Sequence, residues 1–191
     1  MLLRAIRSLL PVLLVAGPLA AQASSQPEPK GLIDLSYARS TKAKANGLGL
    51  RIEPIRIGGV NPLRIDLDAT YFYWQHWETY SGGGVGSGYS DFGSMAFGLT
   101  AEKHFGMSAL RPHVGAGVYN VWSTYTPEVG NSISEVGWLK VGSLRGGVTW
   151  FSHARWKHGT RGLTMRAEVE EQFAKGGNDT LIKIGVGVAN F

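Results

Sequence analysis

From Leu32 to the end of the chain, apolar and polar residues alternate in short runs separated by turn residues, the pattern of half-buried β-strands. The run Arg64–Trp74 shows it most fully. Arg64, Asp66, Asp68 and Thr70 fall on one face, and Ile65, Leu67, Ala69, Tyr71 and Tyr73 on the other. Strand side chains point alternately to the two faces of a sheet, so one face here is ionic and the other aliphatic, then aromatic. Eight segments of this kind are predicted: Leu32–Arg39, Gly47–Ile57, Leu63–Trp77, Asp91–His104, Arg111–Trp122, Leu139–Phe151, Leu163–Ala174 and Thr180–Phe191. Pro54 lacks a ladder donor and predicts a bulge or an early end in the second segment. No amphipathic helix is predicted. A tilted membrane-spanning strand needs about 9–11 residues, whereas strands of soluble proteins are nearer 5–6. The segments match the longer class.

The charges on the polar faces sharpen this. The acids are Asp34, Glu53, Asp66, Asp68, Glu102, Glu168 and Glu170, and the bases are Arg51, Arg64, Arg145, Arg166 and Lys183. The alternation fits either of two barrels. A soluble one buries its apolar face and turns charge to water. A membrane one does the reverse. The aromatic residues choose between them. Tyr73, Trp77, Tyr80, Tyr89, Trp122, Tyr125 and Trp138 lie near one set of segment ends, and Phe105, Trp150, Phe151 and Phe191 near the other. Two aromatic girdles around an aliphatic band predict an all-β fold, an eight-stranded antiparallel up-and-down transmembrane β-barrel. The interior of eight strands is only wide enough for side chains. A polar, plugged lumen is therefore predicted, with a structural ion network of Arg64, Asp66, Asp68, Glu102, Arg145, Arg166, Glu168, Glu170 and Lys183. Strand order puts Arg166 between Arg145 and Lys183, with Glu168 and Glu170 as the predicted partners of all three bases.

The chain ends set the context. Arg4 and Arg7, the apolar run Leu9–Ala16 and the small-x-small site Ala21-Gln22-Ala23 predict a cleaved secretory signal over Met1–Ala23. That run is too short to span about 30 Å of hydrocarbon. Ser24–Lys30 reads as a short linker, and residues 31–191 as the barrel. Loss of Arg4 and Arg7 lowers the formal net charge from +5 to +3, so the high isoelectric point is weak support for nucleic acid, and none is predicted. The absence of cysteine excludes disulfides, thiolate metal sites and a cysteine nucleophile.

Loop lengths predict both termini on the periplasmic side. Gly58–Pro62 and Gly106–Leu110 are short turns there, while Ser81–Ser90 and Thr124–Gly137 are longer loops, extracellular and available to a partner. Ser152–Gly162 is predicted as a long basic turn carrying His153, Arg155, Lys157, His158 and Arg161. It is either a solvated turn or an electrostatic contact for lipid phosphates or another anionic partner. Candidate chemistry is sparse. The five histidines are scattered without metal-ligand spacing, and no metal or cofactor is predicted. Gly82–Gly88 is glycine-rich but precedes neither Lys-Thr/Ser nor a helix, so it fails the phosphate-loop test. Glu168, Glu170 and Glu171 suggest paired carboxylates, although Arg166 beside them favours an ion network.

The segments Leu110-Arg-Pro-His-Val-Gly-Ala-Gly-Val118 and Leu163-Thr-Met-Arg-Ala-Glu168, with the closing segment to Phe191, resemble the eight-stranded outer-membrane barrel superfamily. The resemblance implies an up-and-down barrel in a Gram-negative outer membrane, among lipopolysaccharide and phospholipid. It also implies that Phe191 is a C-terminal signal for the barrel assembly machinery. Phe191 is out of phase with Ile182, Ile184, Val186 and Val188, so either a bulge at Ala189-Asn190 restores the phase or the signal is degenerate. The superfamily includes adhesins, structural proteins and lipid-modifying enzymes. The chain is similar to the lipid A deacylases in its Tyr/Trp-rich third segment and its glycine-rich loop. Their catalytic His-x-Ser follows shortly after Arg-Ala, whereas Arg166-Ala167 here precedes Glu168-Val-Glu-Glu171, and Ser152-His153 is in the wrong order. The sequence therefore reads as a small integral outer-membrane protein, structural or interacting through its loops, non-enzymatic and non-porin. The alternative is a deacylase-like hydrolase of lipid A.

Overall fold

The computed structural model describes residues 28–59, 61–81, 85–106, 108–126, 134–152, 154–156, 159–175 and 177–190. Nine strands follow one another: β1 (Gly31–Ser40), β2 (Asn46–Ile57), β3 (Leu63–Ser81), β4 (Val85–His104), β5 (Leu110–Thr126), β6 (Ser134–Phe151), β7 (Ala154–Trp156), β8 (Gly159–Ala174) and β9 (Gly177–Asn190). Each long strand pairs antiparallel with its neighbours, and the β1–β9 and β6–β8 ladders complete a ring of eight. The three-residue β7 extends the β6–β8 ladder in unbroken register, Ala154 opposite Arg161 after Phe151 opposite Thr164. A closed ring has no edge strand to protect.

All eight predicted segments are strands, and the differences lie at their ends. β3 and β4 pair as far as Ser81 opposite Val85, so most of the predicted loop Ser81–Ser90 is ladder. β5 and β6 reach Tyr125 opposite Ser134, which leaves residues 127–133 between strands in place of Thr124–Gly137. The predicted turn Ser152–Gly162 is likewise mostly hairpin. These stretches carry polar residues on both faces, so no alternation marks them as strand. At Pro54 the expected bulge is present: the β2–β3 register shifts between Ile52 and Ile55. A second shift, between Ser123 and Thr124, faces Gly137, whose φ of 98° suits a residue without a Cβ.

The faces are inverted relative to a soluble protein. Outward-pointing Leu35, Leu99 and Ile184 are 63%, 50% and 58% exposed, while inward-pointing Arg64, Thr100 and Glu170 are at most 1% exposed. Tyr37, Tyr71, Tyr73, Tyr89 and Trp138 lie exposed toward the end remote from the termini, and Phe105 and Trp150 toward the terminus end. Trp122 and Tyr125 are half-buried. Lys103 and Lys140 point outward near the two ends, where long stems let a charge reach water. One girdle assignment is overturned. Phe151 is fully buried against Leu32 and Ala189 because it follows outward-facing Trp150 and so points inward. The side chains of Trp77 and Tyr80, and all of Phe191, fall outside the described residues. No register shift occurs up to Asn190, so no bulge resets the phase before that residue.

Inside, the barrel is layered. Ala38, Ala45, Phe72 and Leu181, with Ala96, Tyr119 and Val141, form apolar clusters toward the remote end. Leu32, Phe151 and Ala189 do the same at the terminus end, and charged residues fill the space between. Gly147 lies on the closing β6–β8 seam, where a Cβ would collide with the carbonyl oxygen of Ala167 and the Cα of Glu168. Gly147→Val is expected to weaken closure by about 1–3 kcal/mol, the usual cost of overpacking. The measurement is the temperature at which the compact band on unheated SDS gels is lost. An unchanged temperature would show that the seam tolerates a side chain.

Candidate functional site

Alternation places charged residues of all eight long strands in one enclosed space, and register decides which of them meet. Arg51 and Asp68 are cross-strand partners on β2 and β3, and their side chains bond at 2.7 Å. Arg145 faces Glu170 in the ladder but reaches across the lumen to Asp68 at 2.7 Å. Lys183 stands opposite Glu168, yet its ammonium is nearer Glu170, at 2.5 Å against 4.0 Å. Glu168 accepts from Arg51 at 3.0 Å and from Arg166 at 2.8 Å, and lies 3.6 Å from Arg145. Arg166 also donates to Glu102. Thr100 donates to Asp68 at 2.6 Å and Thr164 to Asp34 at 2.8 Å. Asp66 Oδ1 accepts no hydrogen bond among the described residues.

The expected pairings of Glu168 and Glu170 are thus joined by partners from the opposite wall. Arg51, Asp68 and Glu102 enter because an eight-stranded interior lets long side chains meet across it. Small residues make the room. A Cβ on Gly115 would stand 3.2 Å from Arg145 Nε and 2.8 Å from the carbonyl oxygen of Ala101. Most charges inside have carboxylate or hydroxyl oxygens or guanidinium hydrogens as replacements for water, which is the condition for burying them, and among the described residues Asp66 is the exception.

The histidines are less scattered than their numbering suggests. His104 and His113 are cross-strand partners on β4 and β5, with rings stacked at 5.3 Å. His104 Nε2 lies 2.5 Å from Glu102, and His113 has Glu168 at 3.2 Å and Thr149 at 3.3 Å on its two nitrogens. Donor atoms of Glu102, His104 and His113 fall within 4.8 Å of one another. The set fits a divalent ion poorly, because the Arg166 guanidinium already binds both Glu102 and Glu168. Thr149, His113 and Glu168 have the connectivity of a nucleophile, base and orienting acid. All three are buried, at 0%, 0% and 3% exposure, so the hydroxyl has no surface at which to meet a substrate. The arrangement suits holding charge better than turnover.

At the mouth on the terminus side, Glu28 bonds both Arg64 and Arg111, above the ring of Phe151. Sequence reading missed Glu28, Arg111 and Thr149. Arg111 and Thr149 were legible as inward positions of their segments, whereas Glu28 precedes any periodic run.

No family model and no curated protein matches the chain. Solved structures do. The N-terminal β-barrel domain of Pseudomonas aeruginosa OprF aligns with 88% of this chain and 100% of that one, at 17% identity and a TM-score of 0.53. Neisserial surface protein A aligns over 84% and 93%, at 18% identity and a TM-score of 0.50. The outer membrane enzyme PagL aligns over 84% and 99%, at 11% identity and a TM-score of 0.48. The chain has the fold of the small eight-stranded barrels of outer membranes.

Removing one partner of a buried pair strands the other charge, at about 3–5 kcal/mol, whereas an exposed pair contributes about 0–1. Glu168→Gln is therefore expected to cost about 3 kcal/mol, and Arg56→Ala, which loses a rim contact to Glu53 at 2.9 Å, under about 1 kcal/mol. Replacing Lys183 and Glu170 together by Met and Leu should cost less than either single change, since neither charge is orphaned. Urea unfolding of the refolded barrel in detergent or lipid vesicles measures all five variants. Equal effects of Glu168→Gln and Arg56→Ala would mean that the interior charges are freely hydrated.

Proposed function

We propose that this chain is an integral protein of a Gram-negative outer membrane, exported on the signal Met1–Ala23 and assembled with its termini toward the periplasm. The observation that carries the reading is the inversion of its faces, with aliphatic side chains exposed around the barrel and paired charges enclosed within it. An exposed apolar belt of this extent is a liability in water and a requirement in lipid. Lipopolysaccharide and phospholipid would contact the belt, and the barrel assembly machinery would insert the chain, reading Phe191. The lumen is sealed by its own side chains, so the barrel is not a porin. It acts as a rigid, non-enzymatic platform whose β3–β4 and β5–β6 hairpins meet an extracellular partner. Its buried Thr149 and the absence of His-x-Ser after Arg166-Ala167 support a non-enzymatic role over deacylation of lipid A.

Three measurements test these parts separately. Leu99→Arg, placed between the two girdles, is expected to cost about 2–4 kcal/mol in vesicles, the penalty for arginine near a bilayer midplane. A change below about 0.5 kcal/mol, typical of surface sites, would remove that face from lipid. Planar bilayers should show no porin-sized conductance from the unsubstituted barrel, and a stable large conductance would make it a channel. Mass spectrometry of lipid A from cells with and without the protein should give identical acyl patterns. Protein-dependent loss of an acyl chain would establish the hydrolase instead.

A further inference from the structure

The terminus-side mouth holds two arginines, each with a contact besides the group they share. Arg64 is held by Glu53, whose Oε2 accepts from Nη1 at 2.7 Å. Arg111 donates Nε to the carbonyl oxygen of Ser108 at 3.0 Å. The ring of Phe151 supports both guanidinium groups, with centroid distances of 5.0 Å for Arg111 and 6.0 Å for Arg64. The remaining Nη2 of Arg64 and Nη1 of Arg111 converge on the two oxygens of a single carboxylate, that of Glu28. Two fixed guanidinium groups presenting one N–H each is a geometry selective for planar carboxylates and for phosphates.

The burial of the three groups differs in a telling way. The arginine side chains are 1% and 0% exposed, while Glu28 is 19% exposed. The receptor is thus inside the mouth and its occupant at the water boundary. Glu28 belongs to the segment that precedes the barrel, tied down two residues later where Lys30 N donates to Asn190 O. A group tethered this closely competes at an effective concentration of roughly millimolar. We propose that Arg64 and Arg111 form a carboxylate-binding site at the terminus-side mouth, that Glu28 is its tethered occupant, and that a carboxylate supplied in trans takes the site when Glu28 is withdrawn.

The test uses the full mature chain refolded in detergent, unsubstituted and as Glu28→Gln. The probe is a labelled peptide of the chain's own residues Ser24–Lys30, with a control peptide carrying Gln for Glu. The glutamate peptide should bind Glu28→Gln at least tenfold more tightly than the unsubstituted protein, and the glutamine peptide should lose that gain. Arg111→Lys in the Glu28→Gln background, which keeps the charge and loses the fork, should weaken the glutamate peptide again. Competition by inorganic phosphate at constant ionic strength would extend the site to phosphates, and no competition would restrict it to carboxylates as proposed. Equal binding of the two peptides, or equal binding to the two proteins, overturns the proposal. Should Glu28→Gln not refold, Glu28→Asp replaces it, with an expected peptide affinity between the other two values. Trypsin adds a readout without a ligand, since loss of the Glu28 contact should speed cleavage after Lys30 several-fold. An unchanged rate would show that Glu28 does not hold the segment.

Discussion

The ring of backbone hydrogen bonds is the constraint on which everything else in this molecule rests. A sheet closed through β1–β9 and β6–β8 leaves no row of unpaired N–H and C=O groups. Its outer surface can then be wholly aliphatic, as only closed barrels and helices permit in hydrocarbon. Closure also divides space. Alternate residues of every strand are sent inward, where the charged side chains are buried and most find partners.

That division explains why much of the fold was legible in the sequence. Where one face meets an aliphatic surrounding and the other an enclosed polar one, alternation is strict, as along Arg64–Trp74 or Leu163–Glu170. Where the ladder continues past that contrast, alternation ends while pairing does not, and Ser81–Ser90 and Ser152–Gly162 were read as loop and turn. Phe151 was assigned by its position at a segment end, although its phase after Trp150 already placed it inside.

The site was legible as a set of residues and not as a set of bonds. Which residues point inward follows from period two. Which of them touch depends on register, strand tilt and the width of the lumen, so the reach of Arg145 to Asp68 and of Arg51 to Glu168 appears only in three dimensions. The histidines illustrate the same limit: His104 and His113, far apart in kind from any metal motif, meet because the β4–β5 register sets them opposite one another. The apolar clusters at the two ends bracket most of the charged layer, while Glu28, Arg64 and Arg111 carry charge into the terminus-side mouth.

The contact between Arg51 on β2 and Glu168 on β8 has a kinetic meaning. Its two halves are separated by most of the barrel sequence and belong to different hairpins, so it adds to the partner each already has nearby, Asp68 for Arg51 and Arg166 for Glu168. A chain assembling pair by pair would form those local pairs first and the contact across the lumen only when the last ladder closed. The part of the electrostatic reward that crosses the lumen would then arrive at once, at the step that turns a curved sheet into a cylinder. Partly closed intermediates lack that part, which favours cooperative closure for a reason located in the interior.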